Sequence, residues 1–112
     1  MTNSTAIFRH LTKFSQQEID QLFAASQCVV RTATVTILRA MATQKLARLL
    51  IITKRTVGSA PKRNRLRRRL KAIFYEQQLF TKGYDYIIIA KPGATTLSFQ
   101  ALQELLTRAT AG

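Results

Sequence analysis

Nine Lys and Arg side chains stand between Lys54 and Lys71, while no acidic residue occurs anywhere between Asp20 and Glu76. They are Lys54, Arg55, Lys62, Arg63, Arg65, Arg67, Arg68, Arg69 and Lys71, with Asn64 alone among them as a neutral polar residue. Apolar residues interrupt the run at helical spacing: Leu66, Leu70, Ile73 and Phe74 fall at i, i+4, i+7 and i+8. At about 100° per residue these four gather on roughly a third of a helix, and the cations take most of the rest. Such a segment can bury only a narrow stripe. Surface helices usually mix signs and gain from i,i+4 pairs, but this one meets no acid until Glu76. Arginine dominates, and its planar fork suits bidentate contacts to phosphate better than the point charge of lysine. Gly58-Ser59-Ala60-Pro61 opens the helix, with Ser59 or Ala60 near the cap and Pro61 in the first turn. The backbone N–H groups left there form a second anion-binding element.

The stripe needs a surface to cover, and the rest of the chain supplies strands. Val29-Val30, Thr34-Val35-Thr36-Ile37-Leu38, Leu49-Leu50-Ile51-Ile52 and Tyr86-Ile87-Ile88-Ile89-Ala90 are β-branched or apolar runs of strand length. Alternation in Thr34–Ile37 predicts one covered and one open face. Met41–Lys45 is the expected turn between the second and third strands. Two more helices flank this set. Ser15-Gln16-Gln17-Glu18 reads as a capping box, with Phe14 and Ile19 placed for a hydrophobic staple and Ile19, Leu22 and Phe23 as the apolar stripe. Ser98 caps a final helix with Leu102, Leu105, Leu106 and Ala109 on its buried side. The expected fold is α+β, a two-layer single domain over residues 1–112 in the order α-β-β-β-α-β-α, with helices packed on one sheet. Residues 1–13 read as a weakly ordered arm.

Across 112 residues, 18 Lys and Arg face five acids, a formal charge of +13. A compact domain carrying that excess is self-repelling unless a polyanion offsets it, and nucleic acid and an anionic membrane surface both qualify. No apolar stretch approaches the roughly 20 residues of a membrane span, and the N-terminus lacks a signal peptide's basic head and long apolar core. The expectation is a soluble, cytoplasmic protein. A single cysteine excludes an internal disulfide and suits a reducing compartment. Within Cys28-Val29-Val30 it reads as a buried structural thiol. No constellation for catalysis is visible. His10 is the one histidine and lies in the arm, and Glu18, Asp20, Glu76, Asp85 and Glu104 are scattered. One Cys and one His are too few for a zinc site, and neither a Gly-rich phosphate loop nor a nucleophile elbow is present. Catalytic and metal-ligating residues are both expected to be none.

Arg63-Asn64-Arg65-Leu66-Arg67-Arg68-Arg69-Leu70 resembles the "RNR" helix of bacterial ribonuclease P proteins. Thr53–Ala60 resembles the strand end and loop that lead into that helix. Gly83-Tyr84-Asp85-Tyr86-Ile87-Ile88-Ile89-Ala90-Lys91-Pro92-Gly93-Ala94 is similar to the family's fourth strand and following loop, and Leu97-Ser98 to the start of its last helix. The order of elements agrees from about residue 8 to 109. The resemblance implies a ribosomal-S5-domain-2-like fold with a left-handed β-α-β crossover, against the usual right-handed rule. It implies a monomeric protein subunit that binds the catalytic RNA of ribonuclease P and the 5′ leader of precursor tRNA. The RNA carries out the endonucleolytic cleavage with Mg2+, held mainly by RNA and substrate. By position, Lys54, Arg63, Asn64, Arg65, Arg67 and Arg68 would meet the catalytic RNA, and Arg55, Lys62, Arg69 and Lys71 belong to the same cluster. Ile19 and Phe23 would line the leader cleft.

Several positions depart from the family pattern. Ile19 stands where relatives usually carry an aromatic. The second strand, often aromatic in relatives, offers Thr34 and Ile37 by an ungapped count. Base stacking on aromatics contributes about 1–3 kcal/mol per base, so leader contacts here would rest more on charge and shape. Ser26 replaces a frequent glycine, and Lys91 a commoner arginine. Two other readings share the composition: a structural RNA-binding protein of ribosomal type, and a helix lying on a membrane surface. The paired RNR and Gly-Tyr-Asp blocks weigh against the first. The second conflicts with a stripe that lacks Trp and is needed to cover the sheet.

Overall fold

The computed structural model of the chain describes residues 13–111. Most of the expected arm, His10 included, lies outside the described residues. Helix α1 (Gln16–Ala25) is followed by strands β1 (Gln27–Arg31), β2 (Val35–Met41) and β3 (Leu49–Thr53), helix α2 (Ala60–Glu76), strand β4 (Tyr84–Ala90) and helix α3 (Phe99–Thr110). Short 3-10 turns at Arg55–Val57, Leu79–Thr81 and Ala94–Thr96 join them. The order is the expected α-β-β-β-α-β-α.

The four strands form a mixed sheet in the order β1-β2-β4-β3. β1 and β4 each pair with β2 antiparallel, and β3 pairs with β4 parallel, so β3–α2–β4 is the crossover unit. Period-two alternation then divides every strand between two faces. Val30, Val35, Ile37, Leu49, Tyr86 and Ile88 point to one face and are buried beneath Leu66, Leu70, Ile73 and Phe74 of α2 and Leu102, Leu106 and Ala109 of α3. Leu38, Ala40, Leu50, Ile52, Ile87 and Ile89 point to the other, where Leu22 of α1 joins them. The two-layer expectation thus holds for α2 and α3, and α1 adds a partial layer across the second face.

The helix caps follow their sequence signals. Ser15 accepts from the Glu18 N–H at 3.2 Å while its own N–H donates to the Glu18 carboxylate at 2.8 Å, completing the capping box. Ser98 accepts from the Ala101 N–H at 3.0 Å. Ser26 closes α1 in extended backbone, with φ −87°, so this turn does not call for glycine. β2 runs on through Met41, which moves the expected turn to residues 42–48. Arg39 donates to the Ala109 carbonyl at 2.9 Å, a cation placed on one of the last carbonyls of α3.

Cys28 corrects the sequence reading: it is exposed. β1 is an edge strand, and its register slips by one residue between Cys28 and Val30. That bulge turns Val30 into the core and leaves Cys28 opposite Leu38, on the face that α1 covers only in part.

Candidate nucleic-acid interface

α2 presents the cationic face that its sequence requires. Leu66, Leu70, Ile73 and Phe74 are buried, while Lys62, Asn64, Arg65 and Arg68 are exposed on the outside and Arg63, Arg67, Arg69 and Lys71 are half-buried on the flanks. The half-buried arginines are held. Arg63 donates to the Gly58 carbonyl at 3.1 Å, Arg69 to the Leu97 carbonyl at 3.2 Å, and Arg67 to the Asn64 side-chain oxygen at 3.3 Å. Arg63 and Arg69 therefore tie the helix to the loops on either side, and Asn64 orients Arg67. Arg65 and Arg68 stand outward. Ser59 occupies the N-cap position without a side-chain cap, with Pro61 in the first turn. The N–H groups of Ala60 and Lys62 thus lack an intrahelical acceptor and add to the positive end of the helix. Lys54 and Arg55, both exposed, lead from the end of β3 into this region.

A second surface lies on the far side of the sheet. The strand registers align Arg31, Thr36, Ile89 and Ile52 in one row and Cys28, Leu38, Ile87 and Leu50 in the next. Leu22 packs with Ala40 and Ile87, so α1 covers one end of this face. At the other end Ile52, Ile89 and Leu38 stay half-exposed, with Arg31 exposed at the β1 edge. Ile19 and Phe23, four residues apart on α1, stand on the same side of the sheet; Phe23 is 38% exposed. The result is a shallow apolar floor with an α-helical wall. In the chain, Ile52 of this floor is followed by Thr53, buried, and then by exposed Lys54 at the start of the cationic region.

α1 is fixed by polar contacts centred on Arg48. This guanidinium, 6% exposed, donates to the Glu18 carboxylate at 2.6 Å and to the Lys13 carbonyl, and lies 4.1 Å from the centre of the Phe14 ring. The Arg48 backbone N–H donates to Asp85 at 2.7 Å. The Ser15 N–H and then the Arg48 guanidinium hold the Glu18 carboxyl below the usual carboxylate range. Burial pushes the Asp85 carboxyl up, against the hydrogen bond from the Arg48 N–H. Among the described residues no group of three or more His, Cys, Asp or Glu comes together as metal ligands. No described helix is long and apolar enough to cross a membrane.

This order of strands and helices also occurs in proteins already known. The sequence pattern of the Ribonuclease P family matches residues 9–111. The chain belongs to this family. The ribonuclease P protein component of Streptococcus agalactiae serotype III is 32% identical over 63 residues, 56% of this chain and 58% of that relative. The component from serotype Ia of the same species matches to the same extent, so the match spans somewhat over half the length of these relatives. The RNase P protein of Staphylococcus aureus superposes with a TM-score of 0.74 at 17% identity, over 88% of this chain and 91% of that one. The RNase P protein of Thermotoga maritima superposes at 0.71 and 22% identity, over 86% and 91%. At such identities the superpositions establish the shared fold.

Within this Ribonuclease P fold, the residues expected at the cleft do not all reach it. Ile37 is 0% exposed and lies in the core beneath α2 and α3, so it cannot touch anything on the open face. Thr34 sits in the turn before β2, half-exposed, close enough to Gly93 that a Cβ built there would lie 2.9 Å from the Thr34 methyl. With Thr34 in the turn and Ile37 in the core, the two do not come together on the open face. On β2 this face carries Thr36, Leu38 and Ala40, of which Leu38 is the half-exposed one, and the same alternation in Val35-Thr36-Ile37-Leu38 would have found it. Ile52, Ile89 and Arg31 were also missed, because register joins them and single strands do not reveal it. Nothing in the sequence marks Arg48, whose partners are 30 and 37 residues away.

Proposed function

We propose that the chain is the protein subunit of ribonuclease P, working in the cytoplasm as one copy with a catalytic RNA to remove the 5′ leader of precursor tRNA. The observation that carries this reading is the uncompensated cationic face of α2 on a Ribonuclease P family fold. Arg65 and Arg68, standing outward, and Lys54, Arg55, Lys62 and Lys71 around them engage phosphates of the catalytic RNA. Each neutralised phosphate releases counterions, which makes the contact favourable and salt-dependent. Arg63, Arg67 and Arg69 contribute charge from fixed positions, with Asn64 orienting Arg67. The leader, single-stranded, lies on the half-exposed floor of Leu38, Ile52 and Ile89 against Ile19 and Phe23. One aromatic wall residue supplies stacking there, and Arg31 and Lys54 supply charge at the ends.

Magnesium in this reading is bound by the RNA and the substrate, where it supplies Lewis-acid chemistry at the scissile phosphate. Glu18 and Asp85 do not suit that role, since Glu18 is engaged by Ser15 and Arg48, and Asp85 by the Arg48 backbone. The protein binds and orients, and the proton transfers belong to the RNA. The direct test is cleavage of a precursor tRNA by a bacterial ribonuclease P RNA at low magnesium, with and without the protein. Mature 5′ ends formed only with the protein support the reading. No stimulation by any of several bacterial ribonuclease P RNAs, with tight salt-sensitive RNA binding retained, would point to a structural RNA-binding protein instead.

A further inference from the structure

α1 forms the wall of the open face, yet apolar contact holds it weakly. Leu22 is its one buried side chain, while Ile19 is half-buried and Phe23 more exposed still. A ten-residue helix has little stability of its own, so its position depends on what ties it down. The tie is Arg48. From the start of β3 its guanidinium reaches the Glu18 carboxylate and the Lys13 carbonyl, both at the N-terminal end of α1, and covers the Phe14 ring. Its backbone N–H is fixed in turn by buried Asp85 of β4. Glu18 serves twice, closing the capping box and receiving the arginine.

We propose that Arg48 is a positioning residue for the leader: by fixing the N-terminal end of α1 against β3 and β4, it sets the distance between the Ile19/Phe23 wall and the Leu38/Ile52/Ile89 floor. This rests on the reading that the open face holds the leader. Arg48 itself lies away from the α2 face, so binding of the catalytic RNA does not depend on it. Its guanidinium is committed to Glu18, Lys13 and Phe14, and its Nε has no partner among the described residues. A contact with RNA is not needed for its effect.

The experiment compares holoenzymes assembled from a bacterial ribonuclease P RNA with the wild-type chain, Arg48→Met, Arg48→Lys and Glu18→Gln. Each is measured for KM and kcat on precursor tRNAs carrying either a leader of about ten nucleotides or a single leader nucleotide. The wild type should show a lower KM for the long leader. Arg48→Met should erase about tenfold of that advantage, the size of one lost charge-assisted contact. Its KM on the one-nucleotide substrate and its affinity for the catalytic RNA should be unchanged. Glu18→Gln, which keeps an acceptor for the cap, should lose part of the advantage, and Arg48→Lys should restore part. If Arg48→Met does not fold, Glu18→Gln carries the same comparison. A long-leader advantage kept in full by the folded variants would overturn the role of Arg48 while leaving the leader reading intact. A wild type indifferent to leader length would overturn the leader reading itself. An equal loss on both substrates would assign Arg48 to general stability alone.

Discussion

Ile37 and Leu38 are neighbours of similar size, but the pleat sends them to opposite faces of the sheet. Their substitution should therefore separate stability from binding. Ile37→Ala removes a fully buried side chain from the main core and should lower the unfolding free energy by about 2–5 kcal/mol. Leu38→Ala, at a half-exposed position, should cost much less stability and raise the KM for a long-leader precursor tRNA. Denaturant unfolding and leader-length kinetics on the two variants check this pair, and equal effects on both readouts would contradict the face assignment. Gly93 makes a different demand. Its φ of +99° is poorly tolerated by L side chains, and a Cβ there would sit 2.9 Å from Thr34. Gly93→Ala should destabilise by about 1–2 kcal/mol or more, read as a lower denaturation midpoint. In the sequence Pro92-Gly93 falls in the loop expected after the fourth strand, whereas the contact of Gly93 with Thr34 depends on tertiary packing.

At the level of elements, α2 was legible because two independent signals agree along it: the 3.6-residue apolar period and the unbroken run of cations. The caps of α1 and α3 were legible because capping is local, decided within four residues. The open face was only half legible. Alternation predicts that a strand has two faces, but which residues of different strands lie side by side depends on register and on the bulge that brings Cys28 out. Arg48 was illegible, since a buried arginine before a strand looks in sequence like any other surface cation. Its cluster predicts an acid response of opposite signs. The folded pKa of Glu18 is depressed, so its contribution to stability is present above the ordinary Glu range, near about 4.3, and is lost as pH falls through the depressed value. The folded pKa of Asp85 is raised, so its ionised form disfavours folding at neutral pH and that penalty is relieved as pH falls through the raised value. Glu18→Gln should flatten the acid side of the stability curve, and Asp85→Asn should steepen it. Urea unfolding from about pH 7 down to about pH 3 reads both slopes.

For the whole molecule, a formal charge of +13 on 112 residues is compatible with a stable domain because, among the described residues, every Lys and Arg except Arg48 lies outside the core. The helices bury their apolar stripes on the sheet and leave the cationic face of α2 outward, where a polyanion can neutralise it. The chain runs from Ile52 at the end of the apolar floor through Thr53 to Lys54, where the cationic segment leading into α2 begins. Arg65→Ala with Arg68→Ala should leave the unfolding midpoint unchanged, because neither side chain is buried. The most direct test of the account is the affinity for a bacterial ribonuclease P RNA as a function of salt, for the wild type and this double variant. With about five phosphates engaged, log K for the wild type should fall against log salt with a slope of about −3 to −5, and the variant should bind more weakly with a slope shallower by about 1–2. A wild-type slope near zero, or a variant that folds normally and binds with unchanged affinity and slope, would contradict it.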